Sequence, residues 1–229
     1  MKPEDYKAQF DPEIQSFCES NNIHFYPWIG KNYSSSDKKI FIIGESYYLD
    51  DWNPEGRFDW DITKDACALA IRKYLGEYCD GKVYTKEFIT YDKASRVLLN
   101  ITGRKVMVSE RQALWHNVGY TVFIQNSFRK KVADSSSFDP EEIKKDTKIL
   151  DAICDKYKPD LVIVYSNSIQ KLIASNPQKI IFNANGNKRT LTSYIWKRKG
   201  ITFWGIPHPS ILRCNIAIQN LHNIYELLQ

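Results

Sequence analysis

The chain is 229 residues long, 43% hydrophobic and 26% charged, a balance that supplies one sizeable core and excludes a disordered or fibrous chain. At roughly 100 to 200 residues per domain, a single domain carrying an insertion is expected rather than two unrelated ones. The 32 Lys plus Arg against 27 Asp plus Glu leave a formal charge of +5, which permits a polyanionic partner without requiring one.

No run approaches the roughly 20 apolar residues of a membrane span, and Met1 to Phe10 is charged rather than signal-like. A soluble, intracellular, cytoplasmic protein with no membrane partner is the expectation. Cys18, Cys67, Cys79, Cys154 and Cys214 are odd in number and scattered, with no CxxC pair, so neither a disulfide framework nor a zinc or iron–sulfur site is signalled. The 14 Tyr, 11 Phe and 6 Trp suit either an aromatic core or a stacking platform.

Lys39 to Gly44 is a short apolar run ending at glycine, which predicts a buried strand followed by a loop. Helical spacing predicts helices over Thr63 to Tyr78, Lys86 to Ile101 and Ser109 to Trp115. Gly119 to Asn126 reads as a second strand. Asp139-Pro-Glu-Glu opens a capped amphipathic helix to Tyr157, and Pro159 to Tyr165 is a third strand. Asn167 to Ala174 suits a short helix, Thr190 to Trp196 alternates like an edge strand, Gly200 to Gly205 is a fourth strand, and a helix over Arg213 to Leu228 closes the chain.

Strands alternating with helices require crossover connections, so the expected class is α/β: a three-layer α/β/α arrangement around a central, mostly parallel four-stranded sheet, with a helical insertion over about residues 50–111. Those inserted helices are expected over the crevice, where they would set substrate choice. Ligands of such sheets bind beyond the carboxyl ends of the strands. The four ends are Gly44-Glu-Ser-Tyr-Tyr48, Gln125-Asn-Ser-Phe128, Tyr165-Ser-Asn-Ser168 and Pro207-His-Pro-Ser210.

In order and strand context, from Lys39 to Leu212, these ends resemble the uracil-DNA glycosylase superfamily, whose first motif is of the Gly-Gln-Asp-Pro-Tyr or Gly-Glu-Ala-Pro-Gly type and whose last is of the His-Pro-Ser type. The resemblance implies Gly44 as the turn glycine, Glu45 as the polar residue after it, and Tyr48 as the tyrosine that closes the pocket. It implies Asn126 as the base-reading asparagine, His208 as the group that stabilises the departing base, and Leu212 as the leucine that wedges into the duplex. Ser46 stands where the first type has its water-activating aspartate, and Tyr47 where it has proline. Glu45, Asp50 or Asp51 are the carboxylates that remain to serve in its place.

The residue types suit a flipped-base site on chemical grounds as well. Breaking an N-glycosidic bond needs a flat slot, a donor aimed at the base carbonyl and a placed water or carboxylate near the sugar. Asn126 offers both a donor and an acceptor, His208 a donor, and Phe58 or Trp60 a stacking face. Ser210, Leu212, Arg213, Arg129 and Lys130, with Lys131, are candidates to meet DNA, whereas Lys197-Arg198-Lys199 precedes a strand and reads as a solvated turn. His24, His116 and His222 lack the flanking prolines that set His208 apart.

The expectation is a monomeric DNA glycosylase, without metal or organic cofactor, that removes uracil or another altered base, with Glu45, helped by Ser46, orienting water. The rival is a catalytically silent nucleic-acid or nucleotide binding module, for which Ser46 is the best support. A third reading is an enzyme acting on a free nucleoside. No GxSxG, GxxxxGK, HExxH or GxGxxG motif is present, which argues against several other enzyme classes.

Overall fold

A computed structural model describes residues 12–46, 64, 66–77, 88–125, 138–183, 190–209, 212 and 215–229. The chain is α/β, as expected. Its helices are α1 (Pro12–Ser20), α2 (Ala66–Leu75), α3 (Ile89–Leu99), α4 (Val108–Trp115), α5 (Pro140–Tyr157), α6 (Asn167–Ile173) and α7 (Asn215–Leu228). Its strands are β1 (Trp28–Ile29), β2 (Ile40–Gly44), β3 (Val118–Val122), β4 (Leu161–Tyr165), β5 (Gln178–Asn183), β6 (Thr190–Arg198) and β7 (Ile201–Ile206).

The sheet is larger than the four strands expected. Among the described residues it has seven, in the order β1-β3-β2-β4-β7-β6-β5, and it is mixed. The β3, β2, β4 and β7 strands run parallel in its middle. At one edge β1 pairs antiparallel with β3, and at the other β6 and then β5 add antiparallel ribs. The strand expected at an edge, β6, is therefore interior, because β5 covers it.

The middle strands follow from their composition. Every residue of β3 and β4 is buried, as is β2 up to Gly44, and an unbroken apolar run suits a parallel strand covered on both faces. Side chains alternate between two cores. Ile40, Ile42, Tyr120, Ile163 and Trp204 pack with α2, α3, α4 and α7; Phe41, Ile43, Val162, Val164 and Phe203 pack with α1, α5 and α6. The start of α5 is capped as its sequence predicts: Glu141 N–H donates to Asp139 Oδ1 at 3.0 Å, with Pro140 in the first turn.

The described helices of the inserted region, α2, α3 and α4, pack on one face of the sheet, and an aromatic cluster joins them to it. Tyr74, Phe88, Tyr91, Trp115 and Tyr120 meet at ring separations of 5.6–6.2 Å, several of them edge-on, a geometry that aligns ring edge with ring face. Trp115 Nε1–H donates to Ser95 Oγ, which also meets the Tyr74 hydroxyl. Trp28, Trp115, Trp196 and Trp204 are all buried, so these four belong to the core and not to a stacking platform.

In the basic run Lys197-Arg198-Lys199, Lys197 and Arg198 end β6 and Lys199 begins the two-residue turn to β7. Lys199 and Gly200 both adopt positive φ (49° and 81°), as a tight primed turn requires. The turn is tied to α5 rather than simply solvated. Arg198 forks onto both oxygens of Asp151 at 2.8 Å, and Lys199 Nζ reaches Asp155 at 2.9 Å.

Candidate functional site

Four neighbouring parallel strands bring their carboxyl ends to one edge of the sheet, and the chain leaves them at Glu45, Phe123, Ser166 and Pro207. The β2–β3 ladder continues past its last paired residues, since Phe123 N–H donates to the Gly44 carbonyl at 2.9 Å and Ile124 N–H to the Glu45 carbonyl at 3.0 Å. Gly44 is needed here for close approach and not for a turn: a Cβ would lie 2.7 Å from the Tyr120 hydroxyl. The backbone of Glu45 is thereby held while its side chain leaves toward β4.

That side chain has a partner built for it. Ser166, 2% exposed at the end of β4, donates its hydroxyl proton to Glu45 Oε2 at 2.7 Å. Ser166 Oγ in turn accepts from the N–H groups of Ser168 and Ile169 at 3.1 and 3.3 Å and so caps α6. The serine between a strand and a short helix is legible in the sequence as a cap; its bond to a residue 121 positions away is not.

On the far side of β4, β7 delivers Pro207-His208-Pro209. Both prolines are buried while His208 is half-buried, so the backbone is clamped where it leaves the sheet. The end of β7 is secured by Gln170 of α6, whose Nε2 donates to the carbonyls of Ile206 at 2.7 Å and Val164 at 3.3 Å. Gln170 lies flat against Gly205, where a Cβ would come within 2.4 Å of its Cδ. Gly205→Ala is expected to expel the pinned amide at a cost of about 1–3 kcal/mol, read as a lower midpoint in urea unfolding.

Two buried polar residues stand at the end of β3. Gln125 is structural: its Oε1 accepts from the N–H groups of His24 and Phe25 at 3.0 and 2.9 Å, and its Nε2 donates to the Val122 carbonyl at 2.8 Å. Asp146 of α5 is 4% exposed and accepts a long 3.5 Å bond from Gln125 N–H. Burial pushes its carboxyl up to about 7, a rise that nearby Glu142 adds to and Gln125 N–H and Lys145 oppose. Cys18 and Cys154 are buried thiols pushed up to about 12, mainly by desolvation, which makes them core residues and not nucleophiles.

Of the residues expected at the site, the structure brings Glu45, Ser46 and His208 to this edge. Leu212 is corrected: it is 1% exposed and packed with Ile206, Ala217, Ile218 and Leu221, and its N–H donates to the Pro209 carbonyl at 3.0 Å. A side chain that closes the core is not a projecting wedge. Asn126, Tyr48, Phe58, Trp60, Ser210, Arg213, Arg129 and Lys130 lie outside the described residues, as do Tyr47, Asp50, Asp51 and Lys131.

A cavity of about 410 Å³ opens elsewhere, against β1, between α1 and α2, lined by Trp28, Lys31, Tyr33, Arg72, Lys156 and Tyr157 among others. It contains none of the expected site residues. Among the described residues no cluster of His, Cys, Asp and Glu is arranged to hold a metal ion, and no helix is long and apolar enough to cross a membrane. No protein-family model matches the chain, and no curated protein matches it.

Proposed function

We propose that this chain is a uracil-DNA glycosylase-like hydrolase that flips uracil or another altered base out of DNA and cuts its N-glycosidic bond. The observation that carries the reading is the pairing of a held carboxylate with a clamped histidine at the carboxyl edge of a parallel sheet: Glu45 bonded by Ser166, and His208 between two buried prolines. The family's sheet is four parallel strands, and β3-β2-β4-β7 supplies four in the middle of the larger one. Glu45 and His208 leave strands separated by β4 alone, two strand spacings or roughly 10 Å between their backbones, and the Glu45 carboxylate reaches the end of β4 between them.

The chemistry divides along that span. As the bond from sugar to base breaks, its electron pair moves onto the base, and His208 donates a hydrogen bond to the carbonyl oxygen where the charge collects. Glu45 orients a water that adds to the cationic sugar carbon and takes the water's proton. No covalent intermediate is required. Asn126 and an aromatic from Phe58 or Trp60 would read and stack the base, and Arg129, Lys130 and Arg213 would meet phosphates.

The test is base release from labelled single-stranded and duplex oligonucleotides carrying uracil, hypoxanthine, xanthine or a G·T mismatch, followed by alkaline strand cleavage. Release from at least one substrate supports the reading. Ser46, in place of the family's aspartate, favours a second reading, a silent binding module. That module would retain salt-sensitive DNA binding with no release from any of these substrates.

A further inference from the structure

We infer that Ser166 is a positioning residue for this reaction, one that fixes the carboxylate of Glu45 as the group that orients water. The inference rests on the glycosylase reading and deepens it. A hydroxyl has one proton and two lone pairs. At Ser166 the acceptor side is taken by the N–H groups of Ser168 and Ile169, which can only donate. The proton is therefore left for Glu45 Oε2, and the 2.7 Å bond has a fixed direction. A buried hydroxyl held on three sides cannot rotate away, so one carboxylate oxygen is anchored.

The same helix holds the opposite end of the site. Gln170 N–H donates to the Ser166 carbonyl at 3.1 Å in the first turn of α6, and the Gln170 side chain fastens the Ile206 carbonyl two residues before His208. Both partners of Nε2 are carbonyls, which assigns the amide orientation without ambiguity. α6 thus acts as a spacer between the two proposed reacting groups: its cap grips Glu45 and its next turn grips the strand that carries His208. A bond made only to cap α6 would have no need of Glu45, and one made only to pack β4 would have no need of a hydroxyl.

The experiment compares kcat and KM for base release by the full chain with Ser166→Ala, Ser166→Thr, Glu45→Gln and the double variant Ser166→Ala/Glu45→Gln, with thermal unfolding of each. Ser166→Ala is expected to lower kcat about 10- to 100-fold with KM within a few-fold, and Ser166→Thr, which caps and donates alike, to recover most of it. In the Glu45→Gln background, Ser166→Ala should change kcat little further, because its effect is routed through Glu45. Equal losses in both backgrounds, or a loss that Thr does not restore, would make Ser166 merely a helix cap and overturn the inference. An unmodified chain that releases no base from any substrate removes the glycosylase reading and the inference with it, a result distinct from an active chain indifferent to Ser166.

Discussion

Replacing His208 with alanine is expected to cut base release by about 10²- to 10³-fold, the usual cost of deleting one donor aimed at developing charge, while DNA affinity stays within a few-fold. The asymmetry follows from when the hydrogen bond matters. A neutral base in the ground state asks little of the imidazole; the departing base carries a full negative charge. A loss confined to kcat is therefore the signature of an interaction made in the transition state. The residue is held for such a task, since Pro207 and Pro209 are buried and the Ile206 carbonyl ahead of them is fixed by Gln170. Single-turnover release alongside a binding isotherm separates the two terms. Unchanged turnover in His208→Ala would remove the histidine from the chemistry.

Asp146→Asn is expected to stabilise the protein at pH 8 and to leave it nearly unchanged at pH 4. The carboxyl stands at about 7 in the folded chain against an ordinary 3.8, chiefly because burial disfavours the charged form. The native state therefore holds a proton that the unfolded state releases, and stability falls as pH rises from about 4 through 7. At 1.36 kcal/mol per pH unit the full penalty above pH 7 is about 4 kcal/mol. Burying an amide in place of a neutral carboxyl returns part of that, so the net gain is on the order of 2 kcal/mol, or roughly 4 to 8 °C in Tm for a chain of this size. Melting curves at the two pH values check it. An equal shift at both would mean that Asp146 is not titrating in the folded protein.

The two outcomes bear on different parts of the molecule. His208 concerns the exposed edge of the sheet, where a side chain is accessible and its backbone is rigid. Asp146 concerns the support behind β3, where a carboxyl sits against the N–H of Gln125, one residue before Asn126. An ionised Asp146 would load that support with a buried charge, so this residue's own contribution to stability is lost as pH rises through about 7.

Much of the sheet was legible from composition alone. The β2, β4 and β7 strands are apolar runs bounded by Gly, Asp or Pro, β3 is a largely apolar run after Asn117, and burial on both faces demands such runs. The caps and the long helix α5 were legible for the same local reason, because Asp139-Pro140-Glu141-Glu142 satisfies the free N–H groups of a helix start. The outer ribs were not. β1 has two residues, too few for any period, and β5 is a partly exposed segment whose Ile181 is 53% exposed. The alternation of β6 suggested one wet face, which an edge strand and a covered penultimate strand share. Aromatic richness was ambiguous until packing resolved it: Trp28, Trp115, Trp196 and Trp204 had to be seen buried.

At the site, Glu45, Ser46 and His208 were recoverable from position, since each follows an apolar run that had to be a strand. Leu212 failed for a physical reason: a leucine after a His-Pro-Ser turn serves equally well as a wedge or as a core residue, and only the packing of α7 against the sheet shows which. Ser166 carried a local meaning as a helix cap and a second meaning that no local pattern holds.

Local composition was thus enough to determine the four central strands and most of the helices, that they alternate, and that the residues after the strands share one edge. Tertiary structure alone decided that β2 and β4 are neighbours, that Ser166 therefore meets Glu45 across 121 positions of chain, and that Leu212 faces inward. Hydrophobic periodicity says that a side chain is buried, but strand order and partner choice come from complementary packing between segments far apart in sequence.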